Sequence, residues 1–115
     1  MKPTFVLVHG AWHGAWCWSR VLPLIRSAGY AAHAVTLTGV GERAHLLSND
    51  INLTTHINDV LGLIAAEELT NIVLVGHSYG GRVITGAADA LLAAGKVQLQ
   101  HLVYLDAVVP KSGES

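Results

Sequence analysis

The stretch NIVLVGHSYGG, residues 71 to 81, combines the two features on which the fold depends. Its first half is a short apolar run rich in β-branched residues, which is typical of a buried strand. Its second half gathers three glycines around Ser78, and the residues that follow, up to 94, have the apolar spacing of a helix. The stretch therefore predicts a strand, a tight turn and a helix in direct succession, with a serine at the turn.

The same alternation of short apolar runs and longer helical segments extends over most of the chain. Strands are predicted at 4–8, 31–36, 72–75 and 101–105, and helices at about 19–28, 54–68 and 81–94. This alternation is typical of a mostly parallel sheet with helices on both faces, so the predicted fold class is α/β, a three-layer sandwich. The segment 37–52 has no clear period and is predicted to be a long loop at one end of the sheet.

Composition limits the class of protein. With 115 residues, of which 51% are hydrophobic and 13% charged, the chain is predicted to form a single globular domain. A formal net charge of −1 without a basic stripe argues against nucleic acid as a partner. The apolar run from Phe5 is interrupted by His9 and Gly10, so the sequence predicts neither an export signal nor a membrane partner. Cys17 is the single cysteine, which excludes an internal disulfide and fits the predicted cytoplasmic location.

The pentapeptide Gly76-His77-Ser78-Tyr79-Gly80 matches the G-x-S-x-G pattern of a nucleophile elbow, in the strand–turn–helix setting that this pattern requires. So sharp a turn strains the backbone of the serine, and glycines two positions to either side remove Cβ atoms that would collide with the neighbouring chain. We expect the turn to expose the Ser78 hydroxyl as a nucleophile and to direct the Tyr79 N–H at the charge developing on a substrate carbonyl. The alternative is a glycine-rich turn with an ordinary serine.

A second turn is predicted after the first strand, in VLVHGAWHGAW, residues 6 to 16. An oxyanion hole for acyl transfer needs a second backbone donor, and the N–H of Ala11 is the candidate here. The neighbouring Gly10, Trp12 and His13 are candidates for binding the substrate. The alternatives are a simple strand-to-loop turn, with His9 hydrogen-bonded inside the loop, and aromatic side chains that belong to the core.

The remaining histidines upstream of Ser78 have no pattern that indicates metal binding. His33, His45 and His56 are predicted to lie on a strand, a loop and a helix, without the spacing of a ligand set. His77 occupies the variable position of the elbow and is expected to pack beneath it. The sequence therefore predicts neither a metal site nor a cofactor.

Four segments of the sequence resemble the α/β-hydrolase superfamily, and within it the branch of small esterases, plant methyl-ester hydrolases and hydroxynitrile lyases. They are FVLVHGAWHGAWCW at 5–18, LPLIRSAGY at 22–30, VGHSYGG at 75–81 and HLVYLDAVVP at 101–110. The resemblance implies that residues 1–115 are the N-terminal portion of one α/β-hydrolase domain, with Ser78 as nucleophile and Ala11 and Tyr79 as oxyanion donors. Hydroxynitrile lyases of this branch carry threonine at the position of Gly10, so the sequence is more similar to the esterases.

The sequence departs from the family in the residues that would complete a catalytic triad. The family order is serine, acid, histidine, but only His101 follows Ser78, at the start of a predicted strand and before Asp106. We therefore expect His101 to be structural and the general base to lie outside this chain. Asp106 ends the last predicted strand, where it is a candidate for the triad acid or for ordering a loop.

The predicted function is a serine hydrolase, a carboxylesterase whose partner is a small or lipophilic ester. The 115 residues alone are expected to show little turnover, because a serine hydroxyl without a base is a weak nucleophile. The open alternatives are a ligand-binding or receptor-type protein of the same fold and a hydroxynitrile lyase. If residues 101–105 form an edge strand beside 72–75, that apolar edge is also expected to promote self-association.

Overall fold

A parallel β-sheet of four strands organises the computed structural model, which describes residues 2–10, 14–40, 43, 45 and 51–105. The strands are β1 Thr4–Val8, β2 Ala32–Val35, β3 Asn71–His77 and β4 Gln98–Leu105, in the sheet order β2-β1-β3-β4. Each pair of neighbouring strands runs parallel, which confirms the predicted α/β class.

Three α-helices and one short 3-10 helix connect these strands in the described ranges. They are the 3-10 helix Ala15–Trp18, α1 Leu22–Ser27, α2 Leu53–Ala66 and α3 Gly80–Ala94. α2 begins with a capping box: the Asn52 side chain accepts from the Thr55 N–H at 3.1 Å, and Thr55 Oγ1 accepts from the Asn52 N–H at 3.2 Å. Within these ranges, no helix has both the length and the apolar character needed to cross a bilayer.

Helices cover the sheet on both faces, as predicted for a three-layer sandwich. Because side chains alternate along a strand, β1 and β3 contribute apolar residues to both layers. Val6 and Leu74 belong to the face against which α2 and α3 pack. Leu7 and Val73 belong to the other face, where they pack with Trp18 and the first residues of α1.

β4 lies at one edge of the sheet, beside β3 as predicted. It pairs with β3 along its length, ending with Leu105 opposite His77. No strand of the described ranges pairs with its other side. Leu102 and Leu105 keep 36% and 44% of their surface exposed, and self-association through this edge remains a prediction.

The sheet order places two turns side by side. β1 and β3 are neighbours, and Val8 at the end of β1 pairs with Gly76 near the end of β3. Because the strands are parallel, both chains leave the sheet at the same edge. The turn after β1 and the serine turn after β3 are therefore adjacent, which is the requirement for a site assembled from both.

Candidate active site

Ser78 occupies a sharp turn between a strand and a helix. β3 ends at His77 and α3 begins at Gly80, so only Ser78 and Tyr79 connect them. Ser78 has a φ of 55°, a left-handed conformation that non-glycine residues seldom adopt. Its N–H donates to the Leu105 carbonyl at 3.1 Å and its carbonyl accepts from the Gly81 N–H at 3.0 Å. The backbone around the turn holds the serine in this conformation, as at strained functional residues.

Glycines allow the turn to pass close to two other backbone segments. A Cβ on Gly76 would lie 2.5 Å from the Gly80 carbonyl oxygen. A Cβ on Gly80 would collide with the Val8 carbonyl oxygen and lie 2.9 Å from the His9 carbonyl oxygen. The predicted strand–turn–helix arrangement and the steric reason for its two glycines are thus confirmed.

Gly10, the residue that follows His9 after β1, also contacts the turn. A Cβ on Gly10 would lie 3.0 Å from the Ser78 Cβ and 3.2 Å from the His77 carbonyl oxygen. Gly10 is buried, whereas Ser78 is half-buried. The chain after β1 therefore runs directly beside the serine, where a second oxyanion donor would be needed.

Two polar groups of the turn have no hydrogen-bond partner among the described residues. The N–H of Tyr79 has no hydrogen-bond acceptor, and the Ser78 hydroxyl has no hydrogen-bond partner, within the part of the chain that the structure describes. Tyr79 is the residue before the first turn of α3, a helix of 15 residues. A free N–H at a helix N-terminus attracts negative charge, because the helix dipole adds to the hydrogen bond.

The Tyr79 side chain connects the turn to the rest of the fold. Its hydroxyl lies 2.8 Å from Nδ1 of His56 on α2, and Nε2 of His56 lies 3.0 Å from the carbonyl oxygen of Thr38. Burial raises the pKa of the Tyr79 phenol, and the nearby charge of Arg82 offsets part of that rise. The phenol therefore stays protonated and able to donate at neutral pH.

The sequence interpretation did not predict the contact between His56 and Tyr79. It treated His56 as one of several scattered histidines, because the two residues are 23 positions apart, one on α2 and the other in the serine turn. A local signal was present: His56 and Asp59 are three residues apart and share one face of α2. Two polar residues on the same face of a helix that packs on the core indicate a buried hydrogen-bond partner.

Four of the predicted site residues lie outside the described ranges. They are Ala11, Trp12, His13 and Asp106. Their predicted roles as oxyanion donor, substrate contacts and acid remain predictions.

His101 and His77 are both described. His101 is exposed and pairs with Val73, four register positions before the His77–Leu105 pair, so it lies about 13 Å along the strand from the turn. His77 is half-buried and its ring meets that of Trp18 edge-on at 6.5 Å. No group of three potential metal ligands occurs among the described residues.

Comparison with known proteins gives a consistent result. The pattern of the alpha/beta hydrolase family matches residues 5–114. A carbendazim hydrolyzing esterase from Nocardioides sp. (strain SG-4G) is 55% identical over 111 residues, which cover 96% of this chain and 44% of that protein. An α-hydroxynitrile lyase from Arabidopsis thaliana is 36% identical over 110 residues, covering 95% of this chain and 41% of the lyase.

A solved structure supports the same assignment. It is an extracellular α/β-hydrolase from a Paenibacillus species, described as sharing structural and functional homology with tobacco salicylic acid binding protein 2. It matches 99% of this chain and 44% of its own chain with a TM-score of 0.86 and 27% identity. The chain thus spans less than half the length of the relatives that it matches. The family pattern, the parallel sheet and the serine turn agree along nearly the whole sequence, and the chain belongs to the alpha/beta hydrolase family, in the branch that includes esterases and hydroxynitrile lyases.

Proposed function

We propose that this chain supplies the nucleophile and the oxyanion hole of a serine esterase. The observation that carries the proposal is the turn at Ser78. A serine with a φ of 55°, beside Gly10 and followed by the unbonded N–H of Tyr79, has the backbone that a nucleophile elbow requires. Hydrolase activity in general is supported by the family and by the esterase relative.

The proposed reaction proceeds through an acyl-enzyme. Ser78 Oγ attacks the carbonyl carbon of the ester while a general base removes the hydroxyl proton. The N–H groups of Tyr79 and Ala11 donate to the oxyanion of the tetrahedral intermediate. When this intermediate collapses, the base gives the serine proton to the leaving oxygen, and the alcohol is released. Water then attacks the acyl carbon by the same route, which releases the acid and restores the serine hydroxyl.

The proposed base and acid are not provided by the described residues. His101 is too far along β4, and no described side chain is hydrogen-bonded to the Ser78 hydroxyl. We propose that the histidine lies outside these 115 residues, since the chain spans less than half of its relatives. Asp106 remains a candidate acid, because it directly follows Leu105, whose carbonyl is bonded to the Ser78 N–H.

The proposed substrates are small or lipophilic esters, which Gly10, Trp12 and His13 would contact. The esterase relative is named for the hydrolysis of carbendazim, so carbendazim belongs in a first substrate panel beside short-chain aryl esters. A cytoplasmic location remains a prediction from the sequence.

The test is covalent labelling of the full-length protein with a fluorophosphonate probe. We expect one modified residue, Ser78, and no labelling or ester hydrolysis in the Ser78→Ala variant. The purified 115-residue chain is expected to show little turnover. Labelling that persists in Ser78→Ala, or efficient hydrolysis by the 115-residue chain, would contradict the proposal.

A ligand-binding protein is the second candidate. It is favoured by the related structure that is described as homologous to a salicylic acid binding protein. Tight binding of salicylate that is unchanged in Ser78→Ala, together with no labelling of the serine, would support it. A hydroxynitrile lyase is disfavoured because Gly10 stands where the lyases of this branch carry threonine, and an assay for cyanide release checks it.

A further inference from the structure

His9 connects the turn after β1 to the end of β2. Its Nε2 lies 2.9 Å from the backbone nitrogen of Leu37, and its Nδ1 lies 2.6 Å from the carbonyl oxygen of Gly10. A backbone N–H can only donate and a carbonyl can only accept, so Nε2 is the acceptor and Nδ1 carries the hydrogen. His9 is fully buried, so its two ring nitrogens depend on hydrogen-bond partners inside the protein.

His56 makes the corresponding connection on the other side. Its Nε2 is next to the Thr38 carbonyl oxygen, which can only accept, so Nε2 carries the hydrogen. Its Nδ1 then accepts from the hydroxyl of Tyr79. The two histidines therefore have opposite tautomers, and they bond to consecutive residues, Leu37 and Thr38.

Thr38 is fixed by more than one contact. Its N–H donates to Oδ2 of Asp59 at 2.7 Å and its hydroxyl donates to Oδ1 at 2.6 Å. Asp59 lies three residues after His56 on α2, so two side chains of one helix face bond all three polar groups of Thr38. Arg43 donates to the Thr36 carbonyl at 3.1 Å, and the same guanidinium lies 3.5 Å from the Asp59 carboxylate. This ion pair helps to hold the carboxylate in place.

We propose that Leu37 and Thr38 form a bridge that sets the distance between the two N–H donors of the oxyanion hole. His9 and His56 are its positioning residues. This inference rests on the proposed function. On one side, His9 holds the carbonyl of Gly10, which is covalently joined to the backbone nitrogen of the proposed donor Ala11. On the other side, His56 holds the side chain of Tyr79, whose N–H is the second donor.

The first test determines the histidine tautomers in the full-length protein. Long-range ¹H–¹⁵N correlation spectra, recorded above about pH 8 where ordinary imidazoles are neutral, are expected to show Nδ1–H for His9 and Nε2–H for His56. The His56→Gln and His9→Gln variants assign the signals. The same tautomer at both residues, or rapid averaging at either, would overturn the bridge whether or not Ser78 reacts.

The second test measures positioning in the full-length protein. Tyr79→Phe removes the hydroxyl that bonds to His56 but leaves the aromatic ring. We expect kcat for an ester, and the rate of fluorophosphonate labelling, to fall about tenfold with KM unchanged, since small misplacements of catalytic groups cost up to about a hundredfold. His56→Gln combined with Tyr79→Phe should lose no more than about the larger single effect, because the Tyr79 hydroxyl acts through its bond to His56.

Tyr104→Phe is the matched control. The Tyr104 hydroxyl makes an equivalent bond, 2.7 Å to Thr85 Oγ1, and this bond involves neither His9 nor His56. It is expected to keep the labelling rate of the unmodified protein. Equal rates for Tyr79→Phe and Tyr104→Phe, with labelling still dependent on Ser78, would overturn the positioning role alone. Labelling that does not depend on Ser78 would overturn the proposed function, and the tautomers would still decide the bridge.

Discussion

Single residues determine how closely the serine turn approaches the neighbouring strand. The closest approach is at Gly80, where an added Cβ would meet the carbonyl groups of Val8 and His9. These carbonyl groups belong to the backbone at the end of β1 and just after it, so they cannot rotate away as a side chain would. A methyl group at this position can therefore be accommodated only if the backbone of the turn or of the strand moves, which destabilises the fold.

We therefore predict that Gly80→Ala lowers the free energy of unfolding by about 3 kcal/mol, the upper part of the range for overpacking. Urea unfolding followed by circular dichroism measures the change. Gly62→Ala is the matched control: Gly62 lies in α2 with no atom within 4 Å of its added Cβ, so alanine should stabilise by about 0.5–1 kcal/mol. Equal effects of the two substitutions would show that the close approach is not what requires glycine at 80.

At this scale, the sequence predicted what depends on near neighbours. The glycines and the serine of the turn are within five residues, and their steric relation follows from a local pattern with known geometry. The contact of His56 with Tyr79 and that of His9 with Leu37 join residues 23 and 28 positions apart. Such contacts depend on how α2 and the end of β2 are placed, which no local pattern specifies.

Strands and helices were predicted in the right order, but their ends were set by pairing. β3 extends from 71 to 77 rather than from 72 to 75, because it continues to pair with β4 through the glycine and the histidine of the elbow. β4 begins at Gln98, three residues before the predicted start, and Gln98 and Gln100 are exposed. Polar residues are tolerated there because β4 is an edge strand of the described sheet.

The exposed edge of β4 gives a prediction at the scale of elements. If copies of the 115-residue chain associate through this edge, Leu102→Lys should shift sedimentation velocity profiles toward the monomer, because a lysine on an edge strand disfavours pairing with another strand. Leu92→Lys is the control, since Leu92 is 64% exposed and belongs to α3, not to the edge strand. An equal shift for both variants would indicate general surface hydrophobicity instead.

For the whole molecule, the alternation of strands and helices was sufficient to predict a parallel sheet covered on both faces. The sheet order places β1 next to β3 and brings Gly10 beside Ser78, although 68 positions separate them in the sequence. The prediction that both turns serve one site came from the two turn patterns and from family resemblance, not from composition. A general base could not be assigned, because a triad depends on residues that only a complete fold brings together.

The stability of the whole molecule should depend on pH in the alkaline range. Burial raises the pKa of the Cys17 thiol above its usual value of 9.0, partly offset by a backbone hydrogen bond, and burial raises that of the Tyr79 phenol above 10.0. Both groups hold their protons more tightly in the folded chain than in the unfolded chain. Their contribution to stability is therefore complete below about pH 9 and is lost as the pH rises through the folded-state pKa values.

We predict that the free energy of unfolding, measured with urea at pH 8, 9, 10 and 10.5, falls across the last three values. Cys17→Ala should remove the earlier part of the fall and Tyr79→Phe the later part, so the double variant should have the flattest profile. Each variant is compared with its own stability at pH 8, because Tyr79→Phe also loses the hydrogen bond to His56. A double variant whose free energy falls as steeply as that of the unmodified chain would mean that other groups cause the alkaline loss.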